Sequence, residues 1–67
     1  MTKIQLNGMA RELAEPISIA ALLEANGYAG RAVAVEINRE IVPKSLHAQQ
    51  LLHDGDEVEV VHAMGGG

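Results

Sequence analysis

At 67 residues, with 48% hydrophobic content and Tyr28 as the sole aromatic, the chain can form one small domain with a core of Leu, Ile, Val, Met and Ala. Such a core buries only about 60% of the unfolded surface and leaves nothing to line a deep substrate cavity, and the absence of cysteine excludes disulfides and thiolate metal sites. Five Lys and Arg against nine Asp and Glu give a net charge of −4, which argues against nucleic acid or an anionic membrane as partner and favours a partner with a basic docking surface. No stretch approaches the roughly 20 apolar residues of a membrane span. Met1–Gln5 shows no signal-peptide pattern, so a cytoplasmic location is expected.

Lys3-Ile4-Gln5-Leu6-Asn7 alternates polar and apolar residues, as a strand with one buried face should. Asn7-Gly8 supplies a pair that tolerates positive φ at both central positions of a tight hairpin turn. The return strand, Ala10 to Ala14, has Leu13 as its inward residue, and Glu15-Pro16 ends it. Ser18 reads as a helix N-cap. Ile19, Leu22 and Leu23 then fall at the i, i+3, i+4 spacing of one helical face, supported by Ala20, Ala21 and Ala25. Asn26-Gly27 marks the stop, with Gly27 suited to the left-handed position just past the helix. Ala32–Ile37 is the strongest strand, with Val33, Val35 and Ile37 on one face. Asn38-Arg39 turns into a short strand, Glu40-Ile41-Val42, closed by Pro43. Lys44 to Leu52 is expected to hold a short helical turn capped by Ser45. Asp54-Gly55 is a further turn, followed by the last strand, Glu57–His62, and then by Ala63, Met64 and three glycines, Gly65-Gly66-Gly67.

One helix among these strands packs most naturally across one face of a mixed sheet, with the first and last strands as parallel neighbours. The expectation is a compact α+β domain with a tail.

Sites for chemistry inside the domain are scarce. His47, His53 and His62 form no ligand-spaced pair and read as surface or sheet-edge residues. Ser18 and Ser45 explain themselves as helix and turn starters, and a domain this small can hardly supply an oxyanion hole and substrate walls. The acidic run Asp54, Asp56, Glu57, Glu59 reads either as a turn plus a solvated strand face or as a docking patch. No phosphate-binding glycine motif and no CxxC occurs, and no helix follows the terminal glycines to make them a phosphate cradle. By elimination, chemistry would sit at the carboxyl end, making the chain a substrate of other enzymes rather than a catalyst. Glycine lacks Cβ, so Gly65-Gly66-Gly67 can pass through a channel too narrow for other residues. Residues 63–67 would reach about 17 Å when extended. A frayed end is the plain alternative.

Several pieces carry a family resemblance in order along nearly the whole chain: Ile4-Gln5-Leu6-Asn7-Gly8, Ile19-Ala20-Ala21-Leu22-Leu23, Ala34-Val35-Glu36-Ile37-Asn38-Arg39-Glu40-Ile41-Val42-Pro43-Lys44, and Asp54–Val61 leading to a Gly-Gly end. Together they resemble the small sulfur-carrier proteins of thiamine biosynthesis, relatives of ubiquitin. The resemblance implies a β-grasp fold, a mixed sheet of four to five strands on one main helix over 1–63, with a flexible tail over 64–67. It further implies that a ubiquitin-activating-like adenylyltransferase consumes ATP to adenylate the Gly67 carboxylate. A sulfur donor such as a cysteine desulfurase then forms a thiocarboxylate, which passes sulfur to thiazole synthase. No cofactor is bound by the carrier itself. Gly65 and Gly66 would let the tail thread into its enzymes, with His62, Met64, Glu57 and Glu59 as the docking surface. Two related readings share the terminal chemistry: the small subunit of molybdopterin synthase, whose family tends to carry prolines before Gly-Gly where this chain has Val61-His62-Ala63-Met64, and a ubiquitin-like modifier. A β-grasp protein-binding module with an inert tail is the reading from another class. An RNA-binding version is disfavoured by the acidic balance and the lack of stacking aromatics.

Overall fold

A computed structural model describes residues 1–62. Five strands and one α-helix follow one another: β1 (Thr2–Leu6), β2 (Met9–Leu13), α1 (Ile19–Ala25), β3 (Val33–Ile37), β4 (Glu40–Val42) and β5 (Glu57–His62), with a 3₁₀ turn at Lys44–Leu46 between the last two. The strands form a single sheet in the order β2-β1-β5-β3-β4. β5 runs parallel to β1 and antiparallel to β3, so the strand nearest the glycine tail in sequence lies at the centre of the sheet.

Each expected element forms, with its boundaries shifted by a residue or so because turns take their own residues. Asn7 and Gly8 are consumed by the β1–β2 turn at φ +51° and +83°, which starts β2 at Met9 and ends it at Leu13. The helix opens as expected: the Ser18 Oγ accepts from the Ala21 N–H at 3.1 Å. The amides of Ile19 and Ala20 donate to the carbonyls of Gln50 and His47 at 3.0 and 2.9 Å, so the whole first turn is satisfied. Asn26 caps the other end, and Gly27 sits at φ +80°.

Alternation does the rest. Ile4, Leu6, Val35, Ile37, Val42, Val58 and Val60 face the helix from the sheet and meet Ile19, Leu22 and Leu23 from the helix, with Leu52 closing the layer from the loop. Leu13 and Val33 are partly buried against this cluster.

Two expectations fail in the segment after β4. Ser45 caps nothing: the 3₁₀ turn starts behind Pro43, whose ring presets the extended-to-helical corner and which offers no side-chain acceptor. His47 is not a surface residue. It is 7% exposed, and its Nε2 donates to the Val42 carbonyl at 3.0 Å, while its own main-chain carbonyl receives Ala20. A buried polar side chain persists where it finds a hydrogen-bond partner, and this one pins the 43–51 segment between the end of β4 and the start of α1.

Candidate functional site: the strand that precedes the glycine tail

β5 is held from both sides, and the two β-turns do part of the holding. On the β1 side the parallel register pairs Gln5 with Glu57 and Leu6 with Val58. The Asn7 N–H donates to the Val58 carbonyl at 2.9 Å, and the Val60 N–H donates to the Asn7 Oδ1 at 2.8 Å. On the β3 side the register runs from Ile37 opposite Val58 to Val33 opposite His62. Beyond it the Asn38 N–H donates to the Glu57 carbonyl at 2.8 Å, and the Glu57 N–H donates to the Asn38 Oδ1 at 3.0 Å. Both asparagines stand at the first position of their turns with φ near +51° and +52°, a conformation Asn adopts more readily than most residues. In the sequence both signal only turns. Their side-chain contacts to β5 join residues far apart in the chain, and no local spacing encodes that.

The acidic run divides into two pairs. Asp54 and Asp56 are fold groups: the Asp54 Oδ1 accepts from the Lys3 N–H at 2.7 Å, while Asp56 accepts from the His53 N–H at 2.8 Å and from the Asn38 Nδ2 at 3.1 Å. Glu57 and Glu59 stand on the face of the sheet opposite the helix, and both are exposed. Across the register, Glu36 lies opposite Glu59, Ala34 opposite Val61 and Ile41 opposite Glu36. This open face therefore gathers three carboxylates around Val61 and Ile41, which are 45% and 71% exposed.

Strand alternation separates the expected docking residues. Glu57 and Glu59 share the open face, whereas His62 is in register with Val33 and so projects to the other side. Met64, Gly65, Gly66 and Gly67 lie outside the described residues. The three histidines stay apart: His47 is buried, His53 is exposed in the 53–56 turn and His62 ends β5. Among the described residues no group of three His, Cys, Asp or Glu side chains could hold a metal ion. No described helix is long and apolar enough to cross a membrane.

The sequence model of the ThiS family matches residues 4–67. Among curated proteins, the chain is 46% identical over 65 residues to a thiazole synthase of Paramagnetospirillum magneticum, covering 97% of this chain and 20% of that protein. It thus spans about a fifth of the length of that relative. It is 31% identical to the sulfur carrier protein ThiS of Escherichia coli, covering 97% of this chain and 98% of that one. Among solved structures, the crystal structure of the thiamine biosynthesis protein ThiS from Geobacter metallireducens superposes with a TM-score of 0.85 at 32% identity, covering 98% of this chain and all of the other.

Proposed function

The chain belongs to the ThiS family, and we propose that it is a sulfur carrier of thiamine biosynthesis, a co-substrate rather than a catalyst. The observation that carries the reading is the family match running through Gly67 on a β-grasp body whose tail-bearing strand is the central one.

The chemistry follows from leaving groups. A carboxylate resists nucleophilic attack because oxide is a poor leaving group. In the proposed reaction an oxygen of the Gly67 α-carboxylate attacks the α-phosphorus of ATP on a partner adenylyltransferase, and pyrophosphate departs. The outer sulfur of a donor persulfide, loaded by a cysteine desulfurase or a similar enzyme, then attacks the acyl carbon, and AMP leaves with the C–O bond electrons. A second donor thiol cleaves the resulting acyl disulfide by taking its inner sulfur into a donor disulfide, and a thiocarboxylate remains. Its sulfur is ionised at neutral pH and nucleophilic, by the logic that makes thiolates rather than thiols reactive. Thiazole synthase is the proposed acceptor, supported by the likeness of this chain to a segment of thiazole synthases from two organisms. ATP belongs to the partner enzyme and the carrier holds no cofactor of its own. The cytoplasm, where ATP is available, is the proposed setting.

Gly65 and Gly66 are proposed to pass through enzyme channels that would clash with a Cβ. The open sheet face, with Glu57 and Glu59 beside Val61 and Ile41, is proposed to meet a basic, partly apolar docking surface. His62 and Met64 would contact the enzyme nearer the tail.

Adding an alanine after Gly67, or deleting Gly66-Gly67, tests the reading. Either change should abolish pyrophosphate release by the activating enzyme and thiamine-independent growth while leaving the folded state intact by circular dichroism. Growth supported by the deleted chain would sink the carrier reading in favour of a binding module.

A further inference from the structure

We infer that Asn7 is a positioning residue that holds the tail-bearing strand where its β1 partner runs out, and so fixes the direction in which the chain leaves the sheet at His62. In a parallel ladder, a residue that donates its N–H to one residue of the neighbouring strand accepts through its own carbonyl from the residue two further on. Asn7 makes the first of these bonds, N–H to Val58 carbonyl at 2.9 Å. It cannot make the second with its main chain, because φ +51° begins the turn into Gly8 and carries the carbonyl away from β5. The side-chain amide oxygen replaces it and receives the Val60 N–H at 2.8 Å. The ladder thus extends two residues along β5 beyond the last β1 residue.

Asn38 repeats the device on the other side. It donates its main-chain N–H to the Glu57 carbonyl and accepts from the Glu57 N–H through Oδ1. The two differ in consequence. Asn38 secures the start of β5, where β1 also pairs. Asn7 acts on Val60, two residues before His62, where on that side β1 has already turned away. Beyond it, only the β3 register from Ala34 to Val33 holds Val61 and His62. Loss of the Asn7 contact would let the last residues of β5 swing about the β3 edge. Fewer molecules would then present the tail in the orientation an enzyme channel accepts, and the apparent affinity falls by that fraction.

The consequence for turnover rests on the carrier reading above. Asn7→Gly tests the inference, because glycine keeps the positive φ of the turn and removes only the side-chain acceptor. Asn7→Asp is the companion, since aspartate tolerates the same backbone conformation and restores an acceptor oxygen. Amide exchange of Val60 is read against Val35 and Val58, together with KM and kcat for adenylation by the activating enzyme. In the glycine variant Val60 should exchange faster than the reference amides on the order of tenfold, the measure of one lost hydrogen bond. KM should rise while kcat is largely kept, and the aspartate variant should restore both. Unchanged Val60 protection in Asn7→Gly overturns the inference, as does failure of folded Asn7→Asp to restore it, or a loosened Val60 with unchanged KM. If the wild-type chain accepts no adenylate at all, the carrier reading fails, and Val60 exchange with the backbone order of His62 still decides whether Asn7 holds the strand.

Discussion

Glu57 and Glu59 illustrate how neighbouring residues of one charge can have separate uses. Asp54 and Asp56, a few positions earlier, spend their oxygens on main-chain N–H groups and on Asn38. Among the described residues, neither Glu57 nor Glu59 has a side-chain hydrogen bond or ion pair, and both are exposed beside Glu36 on the open face. Charges of this kind contribute little to stability and much to encounter with an oppositely charged partner. The double replacement Glu57→Lys, Glu59→Lys should change stability by less than about 0.5 kcal/mol. In adenylation assays it should raise KM on the order of tenfold, with the effect shrinking as salt is added. A KM unaffected by the reversal would remove the open face from the docking surface. Replacing Asp54 should behave differently, because it leaves the Lys3 N–H without its acceptor; its cost should appear in urea denaturation instead.

Among elements, those with strong local signals were legible in the chain. Ser18 before an Ile19-Leu22-Leu23 face, and Asn-Gly and Asp-Gly pairs between alternating runs, identify helix and turns because capping and positive φ are properties of single residues. Ser18→Ala should cost about 1 kcal/mol, read from the shift in urea midpoint. The β3–β4 turn is less ideal: Asn38-Arg39 adopts φ +52° and +71°, and an arginine there carries the left-handed penalty that glycine avoids. Arg39→Gly should therefore stabilise the protein by about 0.5–1 kcal/mol after glycine's own entropic cost, raising the melting temperature. What escaped the sequence was tertiary. Nothing near His47 announces that its imidazole will meet Val42 and its carbonyl Ala20, and Ser45 carried a cap signal that Pro43 made unnecessary. Asn7-Gly8 and Asn38-Arg39 signal local turns, while the second role of the two asparagine side chains depends on a strand about 50 and 20 residues away in the chain.

For the molecule as a whole, one thin core must hold the sheet whose central strand leads to the glycine tail. At 67 residues the expected stability is about 3–10 kcal/mol, and Leu52, fully buried at the junction of helix, loop and sheet, accounts for a large share. Leu52→Ala should cost about 2–5 kcal/mol, enough to leave a substantial unfolded fraction at physiological temperature by far-UV circular dichroism. Tail changes at Gly65, Gly66 or Gly67 should leave that signal unaltered, because glycine has no side chain to bury in a core. Body and tail are proposed to divide the work: the sheet supplies recognition and direction, and the carboxylate of Gly67 supplies the reaction.

The central claim is that Gly67 accepts and carries sulfur. Intact-mass analysis of the chain after incubation with ATP, a cognate activating enzyme and a sulfur source tests it most directly. The expected result is exchange of one oxygen for sulfur, localised to Gly67 by fragmentation and lost when ATP is omitted. An unchanged mass in the presence of an activating enzyme shown to be competent on another carrier, or sulfur found anywhere but Gly67, would contradict it.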